Sequence, residues 1–240
     1  MLIISDLLPK DYKEKLEKVI PKNEILYFNA DNDVTSDESV YNSILHHPDI
    51  YFFMADKKTI IHSPNISPTL IEKLRDKGMT LLAGDKYPSG KYPKTILYNS
   101  VRIGDLVFCN KIHTDKRILG YIKEENLQQI NVNQGYARCS VMVIDEGAII
   151  TSDCGIKTIA QKKKIRVFYI DPSEIILPGE KNGFIGGATG KVSDDEILFF
   201  GDPNLHKNHE NAMEFIKKKG IKVTILSDLP LIDIGGAVLI

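Results

Sequence analysis

The stretch Gly135-Tyr-Ala-Arg-Cys-Ser-Val-Met-Val-Ile-Asp-Glu-Gly-Ala-Ile-Ile-Thr-Ser-Asp-Cys-Gly-Ile, continued through Gln161-Lys-Lys-Lys to Ile165-Arg-Val-Phe-Tyr-Ile-Asp171, decides the fold. Residues 139–144 are β-branched and apolar, Asp145-Glu-Gly147 is a turn signal, and residues 148–151 form a second apolar run that ends at Ser152-Asp153. Ile156, Ile159 and Ala160 then fall at helical spacing, and Lys162 to Lys164 suit the negative end of that helix. Residues 165–170 are a third strand. The pattern is strand, turn, strand, helix, strand.

The same unit recurs along the chain. The ending of its second strand appears as Ile3-Ile4-Ser5-Asp6, Ile60-Ile61-His62-Ser63, Val107-Phe108-Cys109-Asn110, Ile150-Thr151-Ser152-Asp153 and Phe199-Phe200-Gly201-Asp202. The spacing is roughly 45 to 55 residues, the length of one supersecondary unit. Residues 49–83 make one full copy, with strands at 50–54 and 59–62 and a helix capped by Ser67, opened by Pro68 and ended by Gly78. Residues 95–132 make another, whose helix near 115–122 is interrupted by Gly120. A further copy has its leading strand at 184–192, a second strand at 197–200, a helix at about 206–219 and a last strand at 223–226. Residues 1–28 lack a leading strand, and residues 230–240 supply one with nothing after it. Joining these halves gives five ββαβ units with Met1 close to Ile240. The expected fold is therefore α/β, a closed five-bladed propeller of ββαβ units forming a single domain over residues 1–240. A doubly wound α/β domain would alternate single strands with helices, without two strands per helix.

Composition narrows the function classes. With 31 Lys plus Arg against 32 Asp plus Glu, the chain lacks the basic excess of a dedicated nucleic-acid binder. No apolar run reaches transmembrane length, and Met1-Leu-Ile-Ile meets Ser5-Asp6 too soon for a signal peptide. Cys109, Cys139 and Cys154 form no CxxC pair and leave an odd thiol, which suits a reduced, cytoplasmic setting. The expectation is a cytoplasmic protein with no nucleic-acid or membrane partner.

The repeat architecture, together with the Gly-Gly-bearing stretches at 184–192 and 232–240, resembles the guanidino-group-modifying enzymes, or penteins. That family includes arginine deiminase, agmatine deiminase and dimethylarginine dimethylaminohydrolase. The resemblance implies a nucleophilic Cys after the Gly-Gly of the final unit and a Gly-His-x-Asp motif in the unit before it. In Gly235-Gly-Ala-Val-Leu239 the Cys position holds Leu239. In Gly186-Gly-Ala-Thr189 the His and Asp positions hold Gly187 and Thr189. Neither leucine nor glycine can attack a carbon or shuttle a proton, so hydrolysis of arginine, agmatine or methylated arginine is not expected.

The leading strands of a small propeller line its channel, which makes their polar or cramped residues the site candidates. These are Asn99, with Arg102 beside it, Arg138, Cys139, Ser140, Gly186, Gly187, with Thr189 beyond them, Asp233, Gly235 and Gly236. Asp233 suits a cationic group, since a carboxylate in an apolar strand needs a partner; Arg138 or a backbone N–H would serve as well. The paired glycines either let a ligand approach the backbone or relieve crowding at the axis. Cys139 reads as a relocated nucleophile or as a small buried thiol. Cys154 begins a helix whose dipole could activate it. His206 and His209 with Asp202 fall short of a metal site by one ligand, Asp31, Asp33 and Asp37 lack an EF-hand pattern, and no cofactor is expected. Three classes stay open: a protein that binds a small cationic or zwitterionic metabolite, an enzyme using Cys139, and a noncatalytic interaction protein.

Overall fold

The computed structural model of the chain describes residues 1–36 and 40–240. Asp37 and Glu38 of the acidic connection lie outside them. In chain order the elements are β1 (Leu2–Ser5), α1 (Lys10–Val19), β2 (Ile25–Phe28), α2 (Ala30–Asp33), β3 (Phe52–Met54), β4 (Thr59–His62), α3 (Pro68–Asp76) and β5 (Thr80–Ala83). They continue with β6 (Val101–Ile103), β7 (Leu106–Cys109), α4 (Lys116–Glu124), β8 (Gln128–Asn131), β9 (Val141–Asp145), β10 (Ala148–Thr151), α5 (Cys154–Lys162) and β11 (Arg166–Tyr169). The last are β12 (Thr189–Ser193), β13 (Glu196–Phe199), α6 (His209–Lys217), β14 (Lys222–Ile225) and β15 (Ala237–Leu239).

Three sheets have three strands each, β3-β4-β5, β6-β7-β8 and β9-β10-β11, and the fourth has six in the order β14-β13-β12-β15-β1-β2. In every trio the leading strand is antiparallel to the second, and the second is parallel to the third through a helical crossover. The termini behave as their complementary sequences require. Leu2 pairs with Leu239 in an antiparallel ladder, and the Met1 amine donates to Ile240 O at 2.6 Å. A parallel contact between Gly190 and Ala237 joins the last two trios into the long sheet.

Helices α3, α4 and α5 form where an apolar stripe follows a side-chain cap. Ser67 Oγ accepts from Leu70 N, Asp115 from Arg117 N and Asp153 from Ile156 N. Their buried stripes are Leu70 and Leu74, Ile118 with Tyr121 and Ile122, and Ile156 with Ala160. Five apolar clusters then tie successive trios together. Ile3 packs with Phe52, Phe53 with Val107, Phe108 with Val141, Met142 with Phe199, and Leu198 with Leu2.

Several boundaries differ from the sequence reading. Helix α4 runs unbroken through Gly120, because a helix interior with a strong apolar face tolerates one glycine at a cost of about 1 kcal/mol. Helix α6 starts at His209, since a 3-10 turn at Pro203–Leu205 occupies the approach. Val19 of α1 faces solvent, while Tyr12 and Leu16 are buried. The leading strands start late: Cys139, Gly186, Gly187, Gly235 and Gly236 all precede β9, β12 or β15. This displacement turns them from strand residues into turn residues.

Candidate functional site

The segments that enter the five leading strands touch one another in a circuit. Asn99 Nδ2 donates to Asp49 O at 3.1 Å and lies 3.1 Å from Cys139 Sγ. Gly187 N donates to Cys139 O, Gly236 N donates to Gly187 O, and Gly235 packs on His47, two residues before Asp49. Asn99 Oδ1 also accepts from the main-chain N–H groups of Arg138 and Cys139. The candidates Asn99, Arg138, Cys139, Gly186, Gly187, Asp233, Gly235 and Gly236 are thereby brought together. Ser140 adjoins them, but its hydroxyl is buried without a hydrogen-bond partner among the described residues.

The glycines are there for crowding. A Cβ on Gly187 would sit 1.8 Å from Asp233 Oδ1, and one on Gly186 would lie 2.3 Å from Arg138 O. Gly235 and Gly236 have φ of +78° and +67°, and a Cβ on Gly235 would meet His47 Cβ at 2.4 Å. Protein atoms, rather than a ligand, fill the space their missing side chains leave.

Two carboxyl groups stand inside this ring. Cys139 Sγ donates to Asp49 Oδ2 at 2.7 Å, whereas Asp49 Oδ1 is buried with no hydrogen-bond partner among the described residues. Asp233, 2 % exposed, accepts from Phe184 N at 2.8 Å and from Gly235 N at 3.0 Å. Burial pushes the Asp49 carboxyl up to about 6, against the pull of the Cys139 thiol and the Arg138 charge. Burial, with Asp49 adding repulsion, pushes Asp233 up to about 7. Burial and then both carboxylates hold the Cys139 thiol well above its usual range, so it rests protonated. His47 Nδ1 lies 3.8 Å from Asp233 Oδ1. Burial, with His46 adding to it, pulls its imidazole down to about 3, so this contact is not an ion pair at neutral pH.

The fixed cation is Arg138. Residues 136–140 form a turn, so its side chain is free of strand alternation and reaches between units. There its guanidinium donates to Val141 O at 3.3 Å, Gly186 O at 3.2 Å and Ala237 O at 3.2 Å, spanning three units. A cavity of about 610 Å³ opens beside it on the hairpin side, lined by residues of all five leading strands, including Met54, Arg102, Met142, Lys191 and Leu239. The Tyr136 hydroxyl lies 2.7 Å from both Tyr41 Oη and Thr95 Oγ1, and burial disfavours ionisation of both phenols.

Sequence reasoning missed Asp49 and His47. Asp49 could have been found by position, because like Asn99 and Cys139 it lies just before a leading strand. The other readings resolve simply. Cys154 is exposed at the start of α5. His206 is spent on Asp171 O and Asn208 N, and His209 lies against His206 O. Among the described residues no group of three His, Cys, Asp or Glu side chains is placed to hold a metal. Among the described residues no helix is long and apolar enough to cross a membrane.

Comparison with known proteins places this geometry. Residues 7–238 match the "Family of unknown function (DUF6873)". No curated protein matches the chain. Among solved structures, dimethylarginine dimethylaminohydrolase from Pseudomonas aeruginosa, complexed with citrulline, is similar at TM-score 0.55 and 7% identity, over 94% of this chain and 91% of that one. An amidinotransferase of the saxitoxin pathway from Microseira wollei is similar at TM-score 0.56 and 12% identity, over 94% and 88%. The inosamine-phosphate amidinotransferase from Streptomyces griseus is similar at TM-score 0.53 and 11% identity, over 92% and 76%. The chain belongs to the DUF6873 family of unknown function and has the pentein fold of these guanidino-modifying enzymes.

Proposed function

We propose that the protein binds a small cationic or zwitterionic metabolite at the axis of a closed five-bladed arrangement of its ββαβ trios. The cyclic order of the apolar clusters, with Leu198 packing against Leu2, supports the ring. One observation carries the binding: Asp49 Oδ1 is buried and unpartnered in a cluster that sets two carboxyl groups against the single fixed cation Arg138. Above the range where Asp49 and Asp233 titrate, that cluster is short of one positive charge. An unpaired buried carboxylate is costly, and a ligand amidinium, guanidinium or ammonium relieves the cost while donating the missing hydrogen bond. Arg138 can take a carboxylate of the same ligand.

The 2.7 Å contact between Cys139 Sγ and Asp49 Oδ2 favours a second reading, in which Cys139 is a relocated nucleophile. Asp49 would accept the thiol proton, and a bound cation would favour the thiolate by Coulomb attraction. Gly187 and Leu239 at the positions of the family's His and Cys still argue against arginine or agmatine hydrolysis of the familiar kind.

A thermal-shift panel of amidines, amino acids and nucleotides tests both readings, since a ligand that binds only the native state raises its apparent stability. Cationic or zwitterionic compounds are expected to raise Tm and nucleotides are not. Asp49→Asn should weaken binding about tenfold or more. Cys139→Ala should keep binding, and it abolishes any turnover if the second reading holds. Stabilisation by nucleotides alone, or binding indifferent to Asp49→Asn, would overturn the proposal.

A further inference from the structure

The open cavity has a wall that the axial cluster does not use. Arg102 and Lys191 reach into it from β6 and β12, with Arg138 at its floor. Main-chain carbonyls aim the two side chains: Arg102 donates to Gly104 O at 2.8 Å and to Ala55 O, and Lys191 Nζ donates to Ile144 O at 2.9 Å. Among the described residues neither cation lies within ion-pair distance of a carboxylate. The nearby acids have other partners. Asp145 is held by Lys219, Asp194 by Lys57 at 2.8 Å, and Asp56 by the Tyr121 hydroxyl and two main-chain N–H groups. Asp105 and Glu146 also border the cavity, on the hairpin turns at its rim, where water and salt screen them.

A second observation points the same way. Ser100 is among the residues lining this cavity and is 3 % exposed, and its hydroxyl is buried with no hydrogen-bond partner among the described residues. A buried hydroxyl without a partner costs stability unless something in the cavity completes it. Burial also holds the Lys191 ammonium below its usual range, against the attraction of Asp194 and Asp145.

We propose that the hairpin-side cavity contains an anion subsite that takes a compact oxyanion group, a carboxylate or a phosphate, of a small metabolite. Arg102 and Lys191 are its charge partners and Ser100 its neutral donor. Two cations aimed from different units, with N–H groups to spare, suit an acceptor with several oxygens. Asp49, Cys139 and Asp233 are not among the residues lining this cavity, and its occupation does not depend on their cluster binding a cation.

Isothermal titration of the whole chain tests it with three probes: glutarate, inorganic phosphate, and the diamine cadaverine as the charge-reversed control. Glutarate or phosphate should bind saturably, and any cadaverine binding belongs to the Asp49 and Asp233 cluster and should be unchanged in Lys191→Met; which anion binds more tightly tells a carboxylate site from a phosphate site. Lys191→Met should weaken anion binding about tenfold or more, and Ser100→Ala several-fold. Ser100→Ala deletes a buried hydroxyl that has no partner, so its Tm should equal or exceed that of the wild type and its loss of affinity cannot be laid to unfolding. No saturable binding of either anion, or affinity unchanged in both variants, would overturn the proposal. That outcome with amidine binding intact would leave the axial reading standing, and anion binding without amidine binding would do the reverse.

Discussion

Asp233 and His47 sit side by side, and burial shifts them in opposite directions. Asp233 is held up to about 7 and Asp49 to about 6, whereas unfolded Asp titrates near ~3.9. Within that window the folded state keeps protons that the unfolded chain has released. The two carboxyl groups therefore stabilise the fold fully below about pH 4, and that contribution is lost as the pH rises through about 7. His47, pulled down to about 3 from an ordinary value near ~6.5, acts oppositely, and its contribution is lost as the pH falls through that range. Asp233→Asn removes one carboxyl from the balance and one acceptor from the Phe184 and Gly235 N–H pair. The variant should be less stable than the wild type near pH 4 and should gain on it steadily up to about pH 8. Urea midpoints measured across that range check this, and parallel profiles would contradict it. The thiols give a second test at this scale. Cys154 is exposed while Cys109 and Cys139 are buried, so a disulfide reagent should find one fast thiol in the native protein and the other two only on unfolding. Asp233 stood out in the sequence as an acid among apolar neighbours. Asp49 and His47 did not, because they lie in a polar connection where nothing local distinguishes a buried side chain from a solvated one.

Helices were the most legible elements, since caps and stripes are local. Ser67 with Pro68 marked α3, and Asp153 caps α5 through Ile156 N at 2.7 Å. Asp153→Ala should cost about 1 kcal/mol in stability, read from denaturant unfolding. Leading strands were legible only in kind. Their starts are set by neighbouring units crowding one another, which no local pattern records, so residues such as Cys139 and Gly187 read as strand although they lie in turns. Two glycines show the difference in sign. Gly120 has nothing within 3.7 Å of a new Cβ, and Gly120→Ala should stabilise α4 by up to ~1 kcal/mol. Gly187→Ala would drive a methyl into the Asp233 carboxyl and should destabilise the fold by about 1 to 3 kcal/mol or more. Equal effects in the two variants would refute the axial packing.

For the whole molecule, the repeat with its complementary ends showed in the sequence which terminal strands pair, and the β1–β15 ladder bears this out. The sequence could not show which polar groups meet, because those residues are separated by whole units and converge only when the trios assemble. β15 lies between β12 and β1 in the long sheet, so deleting residues 237–240 exposes two strand edges and opens the cluster that contains Ala237. The deletion should abolish cooperative unfolding rather than fray one end, and circular dichroism against urea would show it. The central claim, that the axial cluster is built to receive a cation, is tested most directly by following the carboxyl carbons of Asp49 and Asp233 by NMR with and without a saturating amidine. Without ligand they should titrate near about 6 and about 7, and with it both should ionise at distinctly lower pH, because a cation beside a carboxylate favours its charged form. Titration curves that do not move when the amidine is bound would contradict the account.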